Sequence, residues 1–272
     1  MRGVSRTSLA ELTERLESRL GDATAADVTR LADELFAVVH LLAAEGSLRR
    51  ALSDPALEAE QKGRLVGALL GAQVSELSLG TLRAAVAARW SRPGDLVDAL
   101  DSLAVQALFA ITERAGALDD VEDELFRFGR VVDREPALRA ALSNPALPAE
   151  RKDALLDALL SARARDATRR LVREIVLYPR GRTIDRALEE YGRAAAARRD
   201  RLVARVRTAV PLTSEQADRL AAALRAAYGR AVHLNIELDP GVIGGISVRV
   251  GDEVIDGTVA HRLTEARRRL AG

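Results

Sequence analysis

The side chains best suited to acid–base chemistry near neutral pH are three histidines, His40, His233 and His261. His40 lies near the apolar face of a helical stretch, His233 on the polar side of an alternating strand and His261 in a basic C-terminal stretch. None stands at metal-ligand spacing from another donor, so all three are expected to be structural or simply solvated. Carboxylates are plentiful but interleaved with arginine. Glu11, Glu14, Arg15 and Arg19 fall at the i, i+4 spacing that makes a solvated helix face, and no pair stands out as a general acid and base. Cysteine is absent, which removes disulfides, thiolate nucleophiles and Cys-ligated metal centres. Gly241-Val-Ile-Gly244-Gly245 matches neither a dinucleotide fingerprint nor a P-loop, and it lies between two strands rather than ahead of a helix. It reads as a tight turn or a close backbone approach. Arginines cluster over Arg163–Arg173 and Arg198–Arg207, yet acids intervene and no aromatic set accompanies them for base stacking. No catalytic, cofactor-binding or metal site is expected. A helical nucleic-acid-binding protein, or a generic scaffold using those arginines, is the alternative reading.

The elements behind these residues are helical. Apolar residues make up 48% of the chain but aromatics only 3%, and Ala and Leu dominate, a composition that favours helix over sheet. The 41 basic and 40 acidic residues leave a net charge of +1, with no bulk attraction for nucleic acid or anionic lipid. Lysine occurs only at Lys62 and Lys152. No apolar run reaches the ~18–20 residues of a membrane span, and Glu11, Glu14 and Glu17 argue against a transit peptide. A soluble protein is expected, touching membrane only through a partner.

One unit occurs twice. Residues 48–70 and 138–160 align without a gap at a spacing of 90, with 15 of 23 positions identical. Asp33-Glu34-Leu35-Phe36 recurs at the same spacing as Asp123-Glu124-Leu125-Phe126, which identifies a duplication. Leu31, Leu35, Val38 and Leu42 form one helical stripe; Val121, Leu125, Phe128 and Val132 form its counterpart. Asp54-Pro55 and Asn144-Pro145 read as an N-cap followed by proline at the first helical position. Breaks follow at Arg92-Pro93-Gly94 and Tyr178-Pro179-Arg180-Gly181, and Asp95–Ala115 reads as one long helix closing the first bundle and opening the second. Near residue 200 the period changes. Leu202, Ala204, Val206 and Thr208 alternate as a strand, and Thr213-Ser214-Glu215-Gln216 opens a helix ending at Gly229. Strands follow at 232–238, 246–250 and 254–255, then a helix over 258–270. The expected fold is mainly α, two tandem helical bundles followed by a small C-terminal α/β module. The expected boundaries are 1–95, 96–200 and 201–272.

The stretch from Leu234 to Val259 carries Asp239-Pro240-Gly241-Val-Ile243-Gly244-Gly245-Ile246 and then Gly251-Asp252-Glu-Val254-Ile255-Asp256-Gly257-Thr258-Val259. It closely resembles the signature of the δ subunit of F-type ATP synthase, whose mitochondrial equivalent is the oligomycin-sensitivity-conferring protein. The motif positions are Asp239, Pro240, Gly244, Gly245, Gly251, Asp252, Asp256 and Gly257. The resemblance extends upstream to about residue 103. Ala107-Leu108-Phe109-Ala110 with Glu113 resembles the family's first helix, and Leu177 with Gly181-Arg182 the end of its fifth. Val206, Ala209, Val210, Pro211-Leu212 and Gln216 resemble its passage into the C-terminal module. Ala104 stands where the family commonly has an aromatic, and Leu103 where it has a basic residue. The resemblance implies a non-catalytic peripheral-stalk subunit without a cofactor. Its helical domain would grip N-terminal segments of the α subunits of the F1 head, and its C-terminal region would bind the end of the b subunit. It would lie at the cytoplasmic face of the bacterial plasma membrane, held there through the complex. Ala107, Leu108, Leu171 and Ile175 are the α-contact positions the resemblance suggests. Residues 96–200 would be the family's helical bundle, and 1–95 an extra copy that lengthens or stiffens the stator contact.

Overall fold

The computed structural model describes residues 3–256 apart from residues 162, 200, 201, 230, 231, 240, 243, 251 and 252. The described chain is mainly helical, with one small sheet, and divides into two compact units, Met1–Ala196 and Ala197–Gly272.

The first unit begins with α1 (Val4–Asp22), α2 (Ala25–Ala44), α3 (Gly46–Ser53), α4 (Ala59–Leu70) and α5 (Glu76–Ala87). The long α6 (Pro93–Arg114) follows. After it come α7 (Leu118–Arg134), α8 (Pro136–Ser143), α9 (Ala149–Leu160), α10 (Asp166–Leu177) and α11 (Ile184–Arg199). A shift of 90 residues carries α3, α4 and α5 onto α8, α9 and α10 end for end, and α2 onto α7. The same shift carries α1 into α6, and α6 onto α11. Helix α6 therefore serves twice, as the sixth helix of the first bundle and the first of the second. Its sequence suits both roles. Leu96, Ala99, Leu100, Leu103, Ala104, Ala107, Leu108, Phe109 and Ala110 are all buried, and from Leu103 to Ile111 only Gln106 interrupts the apolar run, as suits a core helix. It packs against α1, α2, α3, α5, α7 and α10, and small alanines let α2 lie along it in the most extensive helix pair of the molecule. Both bundles thus share one hydrophobic core. The two stripes read from the sequence, Leu31/Leu35/Val38/Leu42 and Val121/Leu125/Phe128/Val132, are buried throughout.

Caps set the helix ends. Thr24 and Asp27 form a reciprocal capping box at α2, each satisfying a donor that the first turn cannot pair. Asp54 and Asn144 do not act as the expected N-caps. They follow the last residues of α3 and α8, and each accepts the N–H two residues on, from Ala56 at 2.8 Å and Ala146 at 2.9 Å. A short Asx side chain satisfies its own turn more readily than a helix start several residues away. The next helices begin instead after Glu58, boxed with Gln61, and after Pro148.

The second unit contains β1 (Leu202–Thr208), α12 (Ser214–Tyr228), β2 (Val232–Leu238), β3 (Ile246–Val250) and β4 (Glu253–Asp256). The sheet order is β2-β1-β3-β4. β1 and β2 run parallel with Val206 opposite Ile236, joined through α12, while β3 is antiparallel to both β1 and β4. A parallel pair needs such a crossover, whereas antiparallel neighbours are linked by turns. Thr213 and Gln216 box the start of α12, and Gly229 closes it in the left-handed conformation. Ala204, Val206, Leu224, Val232, Val248 and Val250 form the core. The helix expected over 258–270 lies outside the described residues.

Candidate functional site

Among the described residues no convergent catalytic constellation offers a starting point, and the candidate site is the seam where the two bundles meet. Ala107 and Leu108 lie on α6, and Leu171 and Ile175 on α10; all four are buried. Helix α2 of the first copy lies along α6 and reaches α10 through its side chains. There His40 Nε2 stands 2.8 Å from Glu174 Oε2, and its ring stacks on Tyr178 with centroids 3.5 Å apart. Asp33 pairs with Arg170, and Phe36, between these two anchors, is buried. Asp33, Phe36 and His40 fall at i, i+3 and i+7, one face of α2. In this structure the extra copy therefore covers the α6/α10 seam with a helix of its own.

The equivalent face of the second copy is open. Phe126, the counterpart of Phe36, is 65% exposed against 5% for Phe36, and the Arg130 guanidinium lies 5.9 Å from its ring centroid. A groove of about 470 Å³ runs between α7 and α11 beside it, lined by Leu125, Phe126, Gly129 and Leu188 and rimmed by Glu122, Asp133 and Arg193. Another of about 380 Å³ lies between α1 and α5, lined by Leu12, Arg15, Leu16, Ser18, Arg19, Thr81 and Ala84. The i, i+4 pair expected between Glu11 and Arg15 is not formed, since Arg15 turns to this groove.

Two kinds of latch hold the seam's helices. In both copies a glutamate of the second helix caps the fifth: Glu34 accepts from Ser75 N at 2.8 Å and Ser75 Oγ at 2.7 Å, and Glu124 from Arg165 N at 2.9 Å and Thr168 Oγ1 at 2.5 Å. Burial would raise the Glu34 carboxyl, but hydrogen bonds from Ser78 and Ser75 outweigh it and hold it below the ordinary value. The loop after the fifth helix is tied back to the first by different chemistry in each copy. Ser8 Oγ donates to Arg89 O and Ser91 N to Ser5 Oγ in the first. In the second, buried Asp101 takes Arg180 at 2.5 Å and Arg182 at 3.0 Å, with the Tyr191 hydroxyl 3.4 Å away. Burial and the adjacent Asp101 push the Tyr191 phenol far up, so it remains protonated and donates. Arg180 and Gly181 turn there with φ of 47° and 75°, a left-handed conformation that Gly181, lacking a Cβ, adopts without strain.

In the C-terminal unit Asp239 accepts from Gly241 N at 2.8 Å and from Arg207 Nε at 2.9 Å, bonds that depress its carboxyl, the Arg207 contribution being larger. Gly244 and Gly245 have φ of 65° and 79°, which explains a glycine pair without a bound phosphate. Pro240, Gly251, Asp252 and Gly257 lie outside the described residues; Asp256 ends β4. His233 falls in β2, and His261 is outside the described residues. Four arginines of the first cluster are paired with carboxylates: Arg165 with Asp120, Arg169 with Asp166, Arg170 with Asp33, and Arg173 with Asp153 and Asp157. Paired guanidiniums have little left for a phosphate backbone. Sequence reasoning missed the α2–α10 contact and the Asp101 latch. The only signal for the latter was Gly181-Arg182, since a positively charged turn implies a carboxylate somewhere but not where.

Comparison with known proteins agrees with these features. Residues 105–270 match the family model described as ATP synthase delta (OSCP) subunit. The chain is similar to the ATP synthase subunit delta of Streptomyces avermitilis, at 52% identity over 99% of this chain and 98% of that one. It is 51% identical to the subunit delta of Thermobifida fusca and 49% identical to that of Streptomyces griseus, each over the full length of both chains. The first copy is therefore shared with these relatives, although the family model begins within α6.

Proposed function

Because the chain belongs to the ATP synthase delta (OSCP) subunit family, we propose that its helical unit holds the α subunits of the F1 head while its C-terminal unit holds the b subunit. The protein is a non-catalytic peripheral-stalk subunit of an F-type ATP synthase. Its association with the membrane is that of the complex, for no helix among the described residues is long and apolar enough to cross a bilayer. The cytoplasmic face of the bacterial plasma membrane is the side on which we place it. Full-length similarity to subunit delta chains carries this reading, and the surfaces suit it. A stator must resist torque through contacts rather than chemistry, and amphipathic helices dock in grooves between bundle helices. On the C-terminal unit Ile236 and Leu238 are exposed apolar residues on the edge strand β2, a surface that a b-subunit end would cover. Ala107, Leu108, Leu171 and Ile175 would contribute as the floor that holds α2 in place over α6 and α10. In this reading Asp239, Pro240, Gly244, Gly245, Gly251, Asp252, Asp256 and Gly257 form the turns of the C-terminal unit. Purified chain is expected to form stoichiometric complexes both with the isolated head and with a C-terminal peptide of b in calorimetric titrations. Failure to bind either would sink the assignment of partners.

A further inference from the structure

The two copies carry the same cleft with different charge. At the start of α6 an open cleft of about 530 Å³ is lined by Arg49 and Arg50 of α3, Gly94 and Asp98 of α6, and Arg180 from the loop after α10. A shift of 90 carries it onto a cleft of about 500 Å³ at the start of α11, where Arg139 and Ala140 replace Arg49 and Arg50, and Ile184 replaces Gly94. In that second cleft the arginine is neutralised, for Arg139 pairs with Asp133 and, at 2.6 Å, with Asp185. Neither acid is available in the first. Ala43 stands in place of Asp133. Asp95, in place of Asp185, is buried and held by Ser5 Oγ at 2.8 Å and by Arg92 at 3.1 Å.

Three guanidiniums therefore line the first cleft with one carboxylate, Asp98. Arg49 Nη1 is fixed by the carbonyls ending α2, Leu42 O at 2.8 Å and Ala43 O at 3.1 Å. Arg50 is exposed and forms no ion pair among the described residues. The Arg180 side chain is only 9% exposed; one nitrogen pairs with Asp101, but its Nε and Nη1 are buried with no hydrogen-bond partner. A buried donor left unpaired carries a desolvation penalty that an entering acceptor removes. Helix α6 begins beside these arginines without a side-chain cap, and a Cβ on Gly94 would meet nothing within 4 Å, so its backbone is open to close approach. An uncapped helix start flanked by arginine forks is the chemistry that holds phosphate oxygens.

We propose that this cleft binds a phosphate group, of a small soluble phosphate or of a phospholipid headgroup, held by Arg49, Arg50 and Arg180 at the N-terminus of α6. The anion takes the place that the Asp133 and Asp185 carboxylates take in the second cleft. Because α3, α6 and the loop after α10 all line the site, it ties the first copy to the second. The site goes beyond the stator reading, since it rests on the repeat and its charge rather than on which subunits the protein joins.

Calorimetric titration of the full-length chain with sodium pyrophosphate at fixed ionic strength tests it. Saturable one-site binding is expected, with the melting temperature rising as the site fills. Arg50→Glu should weaken binding about tenfold or more, the equivalent of one charge-assisted hydrogen bond. Ala43→Asp, which installs the acid of the second cleft, should abolish it. Asp98→Asn should tighten it, and Arg139→Gln, in the second cleft, should leave it unchanged. Ala43, Arg50 and Asp98 are exposed, and circular dichroism establishes that each variant is folded. Cosedimentation with phosphatidylglycerol vesicles separates the two sources. Capture that pyrophosphate displaces and Ala43→Asp abolishes identifies a headgroup; pyrophosphate binding without vesicle capture identifies a soluble phosphate. Saturable binding of neither probe, or binding indifferent to both Arg50→Glu and Ala43→Asp, overturns the proposal. So does an equal loss in Arg139→Gln, which would mean diffuse attraction to surface charge.

Discussion

Single carboxylates do much of the work of joining helices here. Glu34 closes the start of α5 from across the bundle, satisfying the Ser75 N–H that the helix itself leaves unpaired. Replacing it with alanine is expected to cost about 1–2 kcal/mol, the range for a lost helix cap, measured as a shift in urea midpoint. Its titration adds a pH signature. The folded carboxyl lies below its ordinary value of about 4.3, so its stabilisation is present above that pH and is lost as pH falls through the depressed folded value. Glu34→Gln should therefore flatten the acid limb of the stability–pH curve; an unchanged slope below about pH 5 would contradict the bond. Asp101 is a costlier case. Asp101→Ala would leave the largely buried Arg180 without its carboxylate and Arg182 with Glu190 alone, and breaking a buried pair costs about 3–5 kcal/mol. A loss below about 1 kcal/mol, the level of an exposed ion pair, would show that the cluster is solvated.

At the scale of elements the two copies diverge although their sequences repeat. Helices α2 and α7 carry the same Asp-Glu-Leu-Phe, but α2 has a bundle on its outer face and α7 has solvent. Phe36→Ala should cost about 3–5 kcal/mol through lost burial and a residual cavity. Phe126→Ala should fall within about 0.5 kcal/mol of the parent chain, as surface substitutions do. Denaturant curves on the two variants decide this, and equal losses would mean that the second face is covered as well. The repeated stripes, caps and breaks were legible because they are local: helical period, an Asx turn and a proline break depend on neighbours a few residues away. Asp54 and Asn144 show the limit of that reading. Asp-Pro and Asn-Pro look like helix starts, yet the side chains close turns of their own, and the competition is decided by two-residue geometry that spacing alone does not distinguish.

For the whole molecule the shared helix α6 has the largest consequence. A chain beginning at residue 93 would keep the six helices α6–α11 but expose the apolar face of α6 on which α2 lies. Such a truncation should bind the dye ANS and unfold at lower temperature than the full chain; unchanged dye binding and melting would show that the second bundle closes over α6 by itself. From the sequence alone followed the mainly helical class, the duplication and its period, the long helix at the junction and the α/β end. Each of these rests on composition, periodicity or a motif that travels with the chain. Tertiary structure alone decided that the first copy lies across the α6/α10 seam, that Ala107, Leu108, Leu171 and Ile175 are floor rather than surface, and that Arg49, Arg50 and Arg180 line one cleft. Identical residues in a duplication carry identical local information. Which copy is buried depends on contacts between positions more than a hundred residues apart, such as His40 and Glu174, and local pattern says nothing about those.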